Sequence, residues 1–249
     1  MLPDFLTAFD WGILVLCAML IGLNKAGLRG VNIIVIPIFA TYFGGKSSAS
    51  IILPLLVAGD ITAIFIYHKK ISWIHFLRLL PAAMLGLIAG MILGQSISDE
   101  TFRLIMAVLV LICLILMIYK EFSRTPLSLP DHWASHALGG FSGGFTTMVG
   151  NAAGPIMAVY LLSMNLPKEI FIGTGAVFFL VVNLLKIPIH LFVWKTMLPH
   201  TLLLDAVLVP FVMIGMYAGL KIVKRIPEKP FRLFIIFATL TGTIKLFLS

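Results

Sequence analysis

The sequence predicts an all-α polytopic membrane protein that consists of two inverted repeats. Sixty per cent of its 249 residues are hydrophobic and 11% are charged, which leaves more apolar surface than a soluble domain of this length could bury. The chain also repeats itself, because the pattern of Pro81, Gly86, Gly90 and the tripeptide FRL at 102–104 returns 129 residues later. Matching loops of the two copies exchange acidic for basic residues, as an inversion in the membrane requires.

The first half contains two short apolar arms and three long spans. The arms cover residues 11–23 and 31–43, and the spans cover residues 48–67, 74–95 and 101–119. A helix of about 20 residues crosses a hydrocarbon core of about 30 Å, whereas an arm of about 13 residues reaches only about 20 Å. The arms therefore form either a re-entrant helical hairpin or, if the first arm begins near residue 5, two full spans.

The second half repeats this plan. Its arms cover residues 133–149 and 152–164, and its long spans cover residues 171–194, 199–220 and 231–248. We divide the chain into a first repeat at 1–122, a linker at 123–132 and a second repeat at 133–249. No basic stretch precedes the first apolar run, so no cleavable signal peptide is expected.

Loop charge predicts the orientation in the membrane. The basic loops at 68–78 and 221–230 should face the cytoplasm, together with the stretch 120–132. The acidic pair at 99–100 in the first half corresponds to the basic pair at 224–225 in the second. The net charge of +8 resides largely in such loops, which predicts contacts with membrane lipids and not with nucleic acid. We expect a multi-pass protein of the inner cell membrane.

A polar, glycine-containing break separates the two arms of the first half. Two copies of one membrane unit are typical of transporters whose substrate site lies where the copies meet. A cation at membrane depth costs roughly 2.5–3.5 kcal/mol, so the two cations of this break favour an anion site. Glycines expose backbone N–H groups, and the following helix adds its positive end. The alternative is a charged surface loop between two full helices. The candidates are Asn24, Lys25, Gly27, Arg29, Gly30 and Asn32.

The matching break in the second half carries no charge. Its hydroxyl, amide and backbone donors could bind oxyanion oxygens. Small residues here could equally serve close packing of helices, and both interpretations stay open. The candidates are Thr147, Gly150, Asn151 and Gly154.

Several polar residues in or at the ends of the long spans are candidates for coupling transport to an ion. Asp60 is taken as the one acid well inside a span, and Asn183 matches its position in the second half. Lys186 lies one turn further on, and either binds the anion or forms an ion pair. His68 and His190 lie at matching span ends, where a histidine could titrate or simply mark the interface. Asp60 could instead form a purely structural ion pair.

The sequence predicts no metal site, no cofactor and no enzymatic activity. Its histidines lack the spacing of metal ligands. No phosphate-binding loop, nucleophile elbow or pair of carboxylates at catalytic spacing is present in the sequence. Cys17 and Cys113 lie in apolar segments and indicate no disulfide framework.

The glycine-rich breaks resemble those of the TauE/SafE sulfite-exporter family. In the first half the resemblance lies in GLNKAGLRG at 22–30, Pro37, FGGKSSA at 43–49 and Leu53-Pro54. In the second half it lies in GNAAGP at 150–155, NLPKE at 165–169 and Gly173-Thr174. It covers essentially the whole chain. The substrate region of the family would map onto Asn24, Lys25, Arg29, Gly150 and Asn151.

This resemblance implies a secondary transporter of small sulfur-containing anions, such as sulfite, sulfoacetate or aryl sulfonates. We expect alternating access between the repeats, with Asp60 or a histidine coupling transport to protons. A passive anion channel, a carboxylate or thiosulfate permease and a membrane subunit that anchors a partner are the alternatives. The expected partners are the small anionic substrate and membrane lipids. The oligomeric state, monomer or homodimer, stays open.

Overall fold

A computed structural model describes residues 7–27, 31–122, 130–164 and 166–222, and five positions further on, at 236, 237, 240, 241 and 244. Within residues 7–222 these form nine α-helices and one short π-helix, without strands. The all-α fold class is thereby confirmed. The elements are α1 (Ala8–Lys25), α2 (Asn32–Phe43), α3 (Gly45–Tyr67), α4 (Trp73–Ser96), α5 (Asp99–Phe122), α6 (Trp133–Gly150), α7 (Gly154–Ser163), α8 (Lys168–Pro188), the π-helix (Ile189–Val193) and α9 (Pro199–Ile222).

Five helices in the described ranges are long and apolar enough to cross a membrane. The protein is therefore a multi-pass membrane protein. The last predicted span, at 231–248, lies almost wholly outside the described residues. The five candidate spans are Ala8–Lys25, Gly45–Tyr67, Trp73–Ser96, Glu169–Val193 and Thr201–Lys221.

The first arm is longer than its apolar run. Helix α1 begins at Ala8 because Thr7 and Asp10 form a capping box, in which the Thr7 hydroxyl accepts from the Asp10 N–H and the Asp10 carboxylate accepts from the Thr7 N–H at 2.8 Å. Its 18 residues extend about 27 Å. The returning helix α2 has 12 residues, about 18 Å, and is too short to span.

Helix α1 packs along α9 with almost no side chains between the two backbones. A Cβ placed on Gly22 would lie 2.0 Å from the Val212 carbonyl oxygen, and one on Gly215 would lie 2.1 Å from that of Met19. Further along, a Cβ on Gly219 would meet the side chain of Ala26. The contacts advance together along both helices, so α1 and α9 run in the same direction.

Helices α4 and α6 form an equivalent pair. A Cβ on Gly86 would lie 2.2 Å from the Phe141 carbonyl oxygen, and one on Gly144 would lie 2.0 Å from that of Ala83. Helices α4 and α6 therefore also run parallel to each other. The duplicated glycines at 86 and 215 therefore have the same role in both halves, because each lets the first helix of the other half pack closely against its own helix.

Helices α3 and α8 meet in the middle and run in opposite directions. At one end, the Ser50 hydroxyl donates to the Thr196 carbonyl at 3.0 Å, just beyond α8. At the other end, Lys70 pairs with Glu169 at 3.3 Å. Helix α9 runs with α3, by the contacts Ser50–Thr196 and Thr62–Met213, and α4 runs with α8, by the contacts Ser72–Thr174 and Met91–Trp194. Since α3 and α8 are oppositely directed, so are the other matching pairs, α4 with α9 and α1 with α6. This arrangement is compatible with inverted repeats, while their division at 123–132 stays a prediction.

The turn after α3 and the start of α6 lie at the same end of the bundle. Arg78 near the start of α4 contacts Asp131, just before α6, at 3.2 Å. Helix α9 runs with α3, since the Thr62 hydroxyl contacts the Met213 sulfur at 3.2 Å, so Lys221 lies at this end too. The predicted topology places these regions on one face. That this face is cytoplasmic stays a prediction.

Candidate functional site

The two breaks come together in the interior, where the repeats meet. A small cavity of about 30 Å³ has walls from both breaks and from α3 and α8. A larger cavity of about 90 Å³ adjoins it and shares four lining residues with it, namely Asn24, Lys25, Gly154 and Phe179. Two discontinuous helix pairs, one from each half, therefore enclose a common chamber, which we define as these two cavities.

Most of the predicted binding residues line this chamber. Gly150 contributes no lining, because its α-carbon faces the Met106 side chain. Arg29 and Gly30 lie outside the described residues. The predicted residues at the chamber are Asn24, Lys25, Gly27, Asn32, Thr147, Asn151 and Gly154, together with the coupling candidates Asp60 and Asn183.

A buried ion pair lies at the wall of the chamber. The Lys25 ammonium donates to Asp60 Oδ1 at 2.5 Å, with the side chains 8% and 0% exposed. The other carboxylate oxygen accepts from Asn183 Nδ2 at 2.9 Å. Gly59 makes room for the lysine, since a Cβ there would lie 2.9 Å from Lys25 Cγ. Asp60 thus joins α1 and α3 of the first half to α8 of the second.

A second buried lysine, Lys186, binds the turn that joins α6 to α7. Lys186 Nζ donates to the Thr147 carbonyl at 2.8 Å and to the Asn151 side-chain oxygen. Asn151 ends α6 in a left-handed conformation, φ 54°, and its amide nitrogen donates to the Ala49 carbonyl at 3.1 Å. Lys186 is fully buried, and in the described structure its partners are neutral.

The charges around the chamber do not balance. With both lysines and Asp60 in their ordinary charged forms, the cluster carries one surplus positive charge. A buried charge without a counter-charge is unfavourable in a low-dielectric interior. An anion in the chamber would supply the missing charge. Among the described residues, Asn32 Oδ1 and Asn183 Oδ1 also lack hydrogen-bond partners here, so the chamber contains acceptor groups that a water molecule can satisfy.

The two histidines proposed for coupling lie away from the chamber. His190 lies in the π-helix that ends α8, where Nδ1 is 2.8 Å from the Thr196 hydroxyl and the ring packs edge-on against Trp194. His68 is exposed after α3, and its Nδ1 lies 3.0 Å from the Phe65 carbonyl. The structure therefore brings Asp60, Asn183 and Lys186 together and leaves both histidines out.

The prediction that Asp60 is the one acid well inside a span is wrong. Asp205 lies in α9, is 3% exposed, and neither of its carboxylate oxygens has a partner among the described residues. The signal was present in the sequence, since Asp205 stands in the predicted span 199–220. Phe179, whose ring centroid lies 4.9 Å from Lys25 Nζ, was also missed. Its sequence context is uniformly apolar and carries no such signal.

An apolar bundle in which two interrupted helix pairs surround a small polar chamber is typical of one class, the polytopic membrane transporters. The chain belongs to the family described as Sulfite exporter TauE/SafE, whose profile matches residues 14–246. The resemblance of the two breaks to this family is thereby confirmed, and the family is one of membrane transporters. Searches of curated proteins and of solved structures gave no match.

Proposed function

We propose that the protein is a secondary transporter that binds one small sulfur-containing anion in the chamber between the two breaks. The observation that carries this proposal is the cluster of two lysines and one acid, Lys25, Lys186 and Asp60, beside a cavity at the meeting point of the halves. With both lysines protonated, this cluster has one positive charge more than Asp60 balances. An anion in this position compensates the buried charge. We place the protein in the inner cell membrane.

The size of the chamber favours small anions. Its larger cavity measures about 90 Å³, well below the roughly 300–1,000 Å³ of pockets that hold drug-sized ligands. Sulfite and short-chain sulfonates suit this volume, whereas an aryl sulfonate requires a wider opening.

The walls of the larger cavity suggest how a sulfonate lies in it. Its polar lining residues are Asn24, Lys25 and Asp60, whose carboxylate is paired with Lys25, and its apolar lining residues include Met157, Leu161 and Phe171. A lysine ammonium has three donors, of which Asp60 takes one. The other donors of Lys25 are then available to sulfonate oxygens, and the carbon end of the anion lies against the apolar wall.

Counterflow in proteoliposomes tests this proposal. We expect external sulfite or methanesulfonate to exchange with labelled anion inside, with saturable kinetics that a passive channel lacks. Lys25→Met and Lys186→Met should reduce exchange at least about tenfold, because each removes a charge of the cluster. The matched control is Lys221→Met, an exposed lysine at the end of α9, which should exchange normally. Undiminished exchange in both Lys25→Met and Lys186→Met would contradict the proposed site.

A further inference from the structure

One buried acid has no role in the anion chamber. Asp205 lies on α9, six residues after Pro199, which corresponds to about 9 Å of helix rise. Its neighbours Leu204 and Leu208 are fully buried in an apolar cluster with Leu14 and Cys17 of α1. Both Asp205 oxygens lack a hydrogen-bond partner among the described residues. Asp60, in contrast, accepts from Lys25 and Asn183.

The ionisable groups on the helices that pack against α9 are engaged elsewhere. On α1, Asp10 bonds to Thr7 and Tyr42, Lys25 pairs with Asp60, and the Cys17 thiol lies in the apolar cluster. On α3, Lys46 Nζ donates to the Ile97 carbonyl, and Tyr67 lies at the far end of the helix. On α9 itself, His200 lies at its start, and Tyr217 and Lys221 follow three or more turns later.

Such surroundings favour the uncharged carboxylic acid. A carboxylate that has neither a cation nor an N–H donor beside it is strongly disfavoured in an apolar interior. A metal cation would require several oxygen ligands, and the described residues contain no group of three or more acidic, histidine or cysteine side chains that could hold one. A proton needs only the carboxylate.

We propose that Asp205 is the proton-carrying site of this transporter. This inference rests on the proposed function. In the conformation described here the proton is held on the Asp205 carboxyl, shielded from water. When α1 and α9 move together relative to α3, water reaches the carboxylic acid, which releases its proton on one side and accepts one on the other. A monovalent anion and this proton then cross together without net charge.

The test uses methanesulfonate, which stays ionised near neutral pH, so that proton movement reports on the protein and not on the substrate. Proteoliposomes loaded with a pH-sensitive dye receive external methanesulfonate, and counterflow is measured in parallel. We expect wild-type protein to bring in protons with the anion. Asp205→Asn, which mimics the protonated acid, should keep counterflow but lose proton entry and pH-driven accumulation. Asp205→Glu should restore both.

The matched control is Asp10→Asn in the first turn of α1, where the side-chain oxygen of asparagine can still accept from the Thr7 N–H. It should behave as the wild type in both assays. Proton entry at the wild-type ratio in Asp205→Asn overturns the proposal. So does a wild type that exchanges anion without moving protons, or follows a sodium gradient instead. Loss of counterflow in Asp205→Asn that Asp205→Glu does not repair also overturns it, because the residue is then structural. A wild type without counterflow refutes the proposed function itself.

Discussion

Lys25 and Lys186 are both buried beside the chamber, but the protein holds them differently. Lys25 has a carboxylate partner in Asp60, whereas Lys186 has carbonyl and amide oxygens. Asp60 therefore balances one lysine, and the charge of the other has no counterpart within the cluster. This difference leads to two predictions, one for the ion pair and one for the surplus charge.

Asp60→Asn should destabilise the protein by about 3–5 kcal/mol, because it leaves the Lys25 ammonium buried and unpaired. Thermal unfolding in detergent measures this loss. The double variant Asp60→Asn/Lys25→Met should recover much of the stability, as expected for two residues in direct contact. Glu169→Gln, which breaks an exposed ion pair with Lys70, is the control and should cost less than about 1 kcal/mol. Equal losses in the two single variants would contradict this account.

Asn151→Asp should weaken anion binding at least about tenfold, because the new carboxylate neutralises Lys186 and removes the surplus charge. Aspartate tolerates the left-handed conformation at this position, but it loses the hydrogen bond from Asn151 Nδ2 to the Ala49 carbonyl, so the unliganded variant should be less stable by about 1–3 kcal/mol. The thermal stabilisation produced by added sulfite measures the effect. Gln95→Glu makes the same charge change on the exposed end of α4 and should leave the sulfite response unaltered.

At the scale of the elements, the two pairs α1–α9 and α4–α6 hold the bundle together through glycine. Their backbones lie so close that a single methyl group at the contact meets a carbonyl oxygen of the neighbouring helix. One described glycine of the same helices, Gly12, faces open space instead. A Cβ on Gly12 of α1 would have nothing within 4 Å. Glycine composition alone does not separate these two situations, but the structure does.

Gly22→Ala should destabilise the protein by more than about 3 kcal/mol, because α1 and α9 must separate to admit the methyl group. Gly144→Ala should do the same to α4 and α6. Gly12→Ala is the control on α1, and should be neutral or stabilising by about 0.5–1 kcal/mol, since alanine is the better helix former. Thermal midpoints and yields in detergent report all three. A Gly22→Ala protein as stable as Gly12→Ala would exclude such close packing.

At the scale of the whole molecule, each tight helix pair takes one helix from each repeat. Helices α1 and α9 belong to different halves, and so do α4 and α6. Simple rocking of one repeat against the other would have to break both glycine contacts. We therefore propose that the moving units are the glycine-packed pairs α1–α9 and α4–α6, and that the chamber between them opens to one side or the other.

Distances between spin labels should distinguish these motions, in a background where Cys17 and Cys113 are replaced by alanine. Labels at the exposed Leu16 of α1 and Ile214 of α9 should keep their separation when methanesulfonate is added. Labels at Leu16 and at the exposed Leu138 of α6 should change theirs, because they report on different pairs. A changing distance within the α1–α9 pair would instead support rocking of intact repeats.

The sequence by itself determined the helical membrane class, most of the element bounds, the duplication, the two breaks and the family. These properties follow from local hydropathy and from residue spacing along the chain. Tertiary structure decided that Asp60 pairs with Lys25, that Lys186 donates to Asn151, and that Asp205 has no hydrogen-bond partner in the part of the chain that the structure describes. Both lysine contacts join residues 35 positions apart, the Asn183–Asp60 hydrogen bond joins residues 123 apart, and all three depend on which helices pack together. A polar residue in an apolar span shows that something must compensate it, but only the packing of the helices decides which group does so.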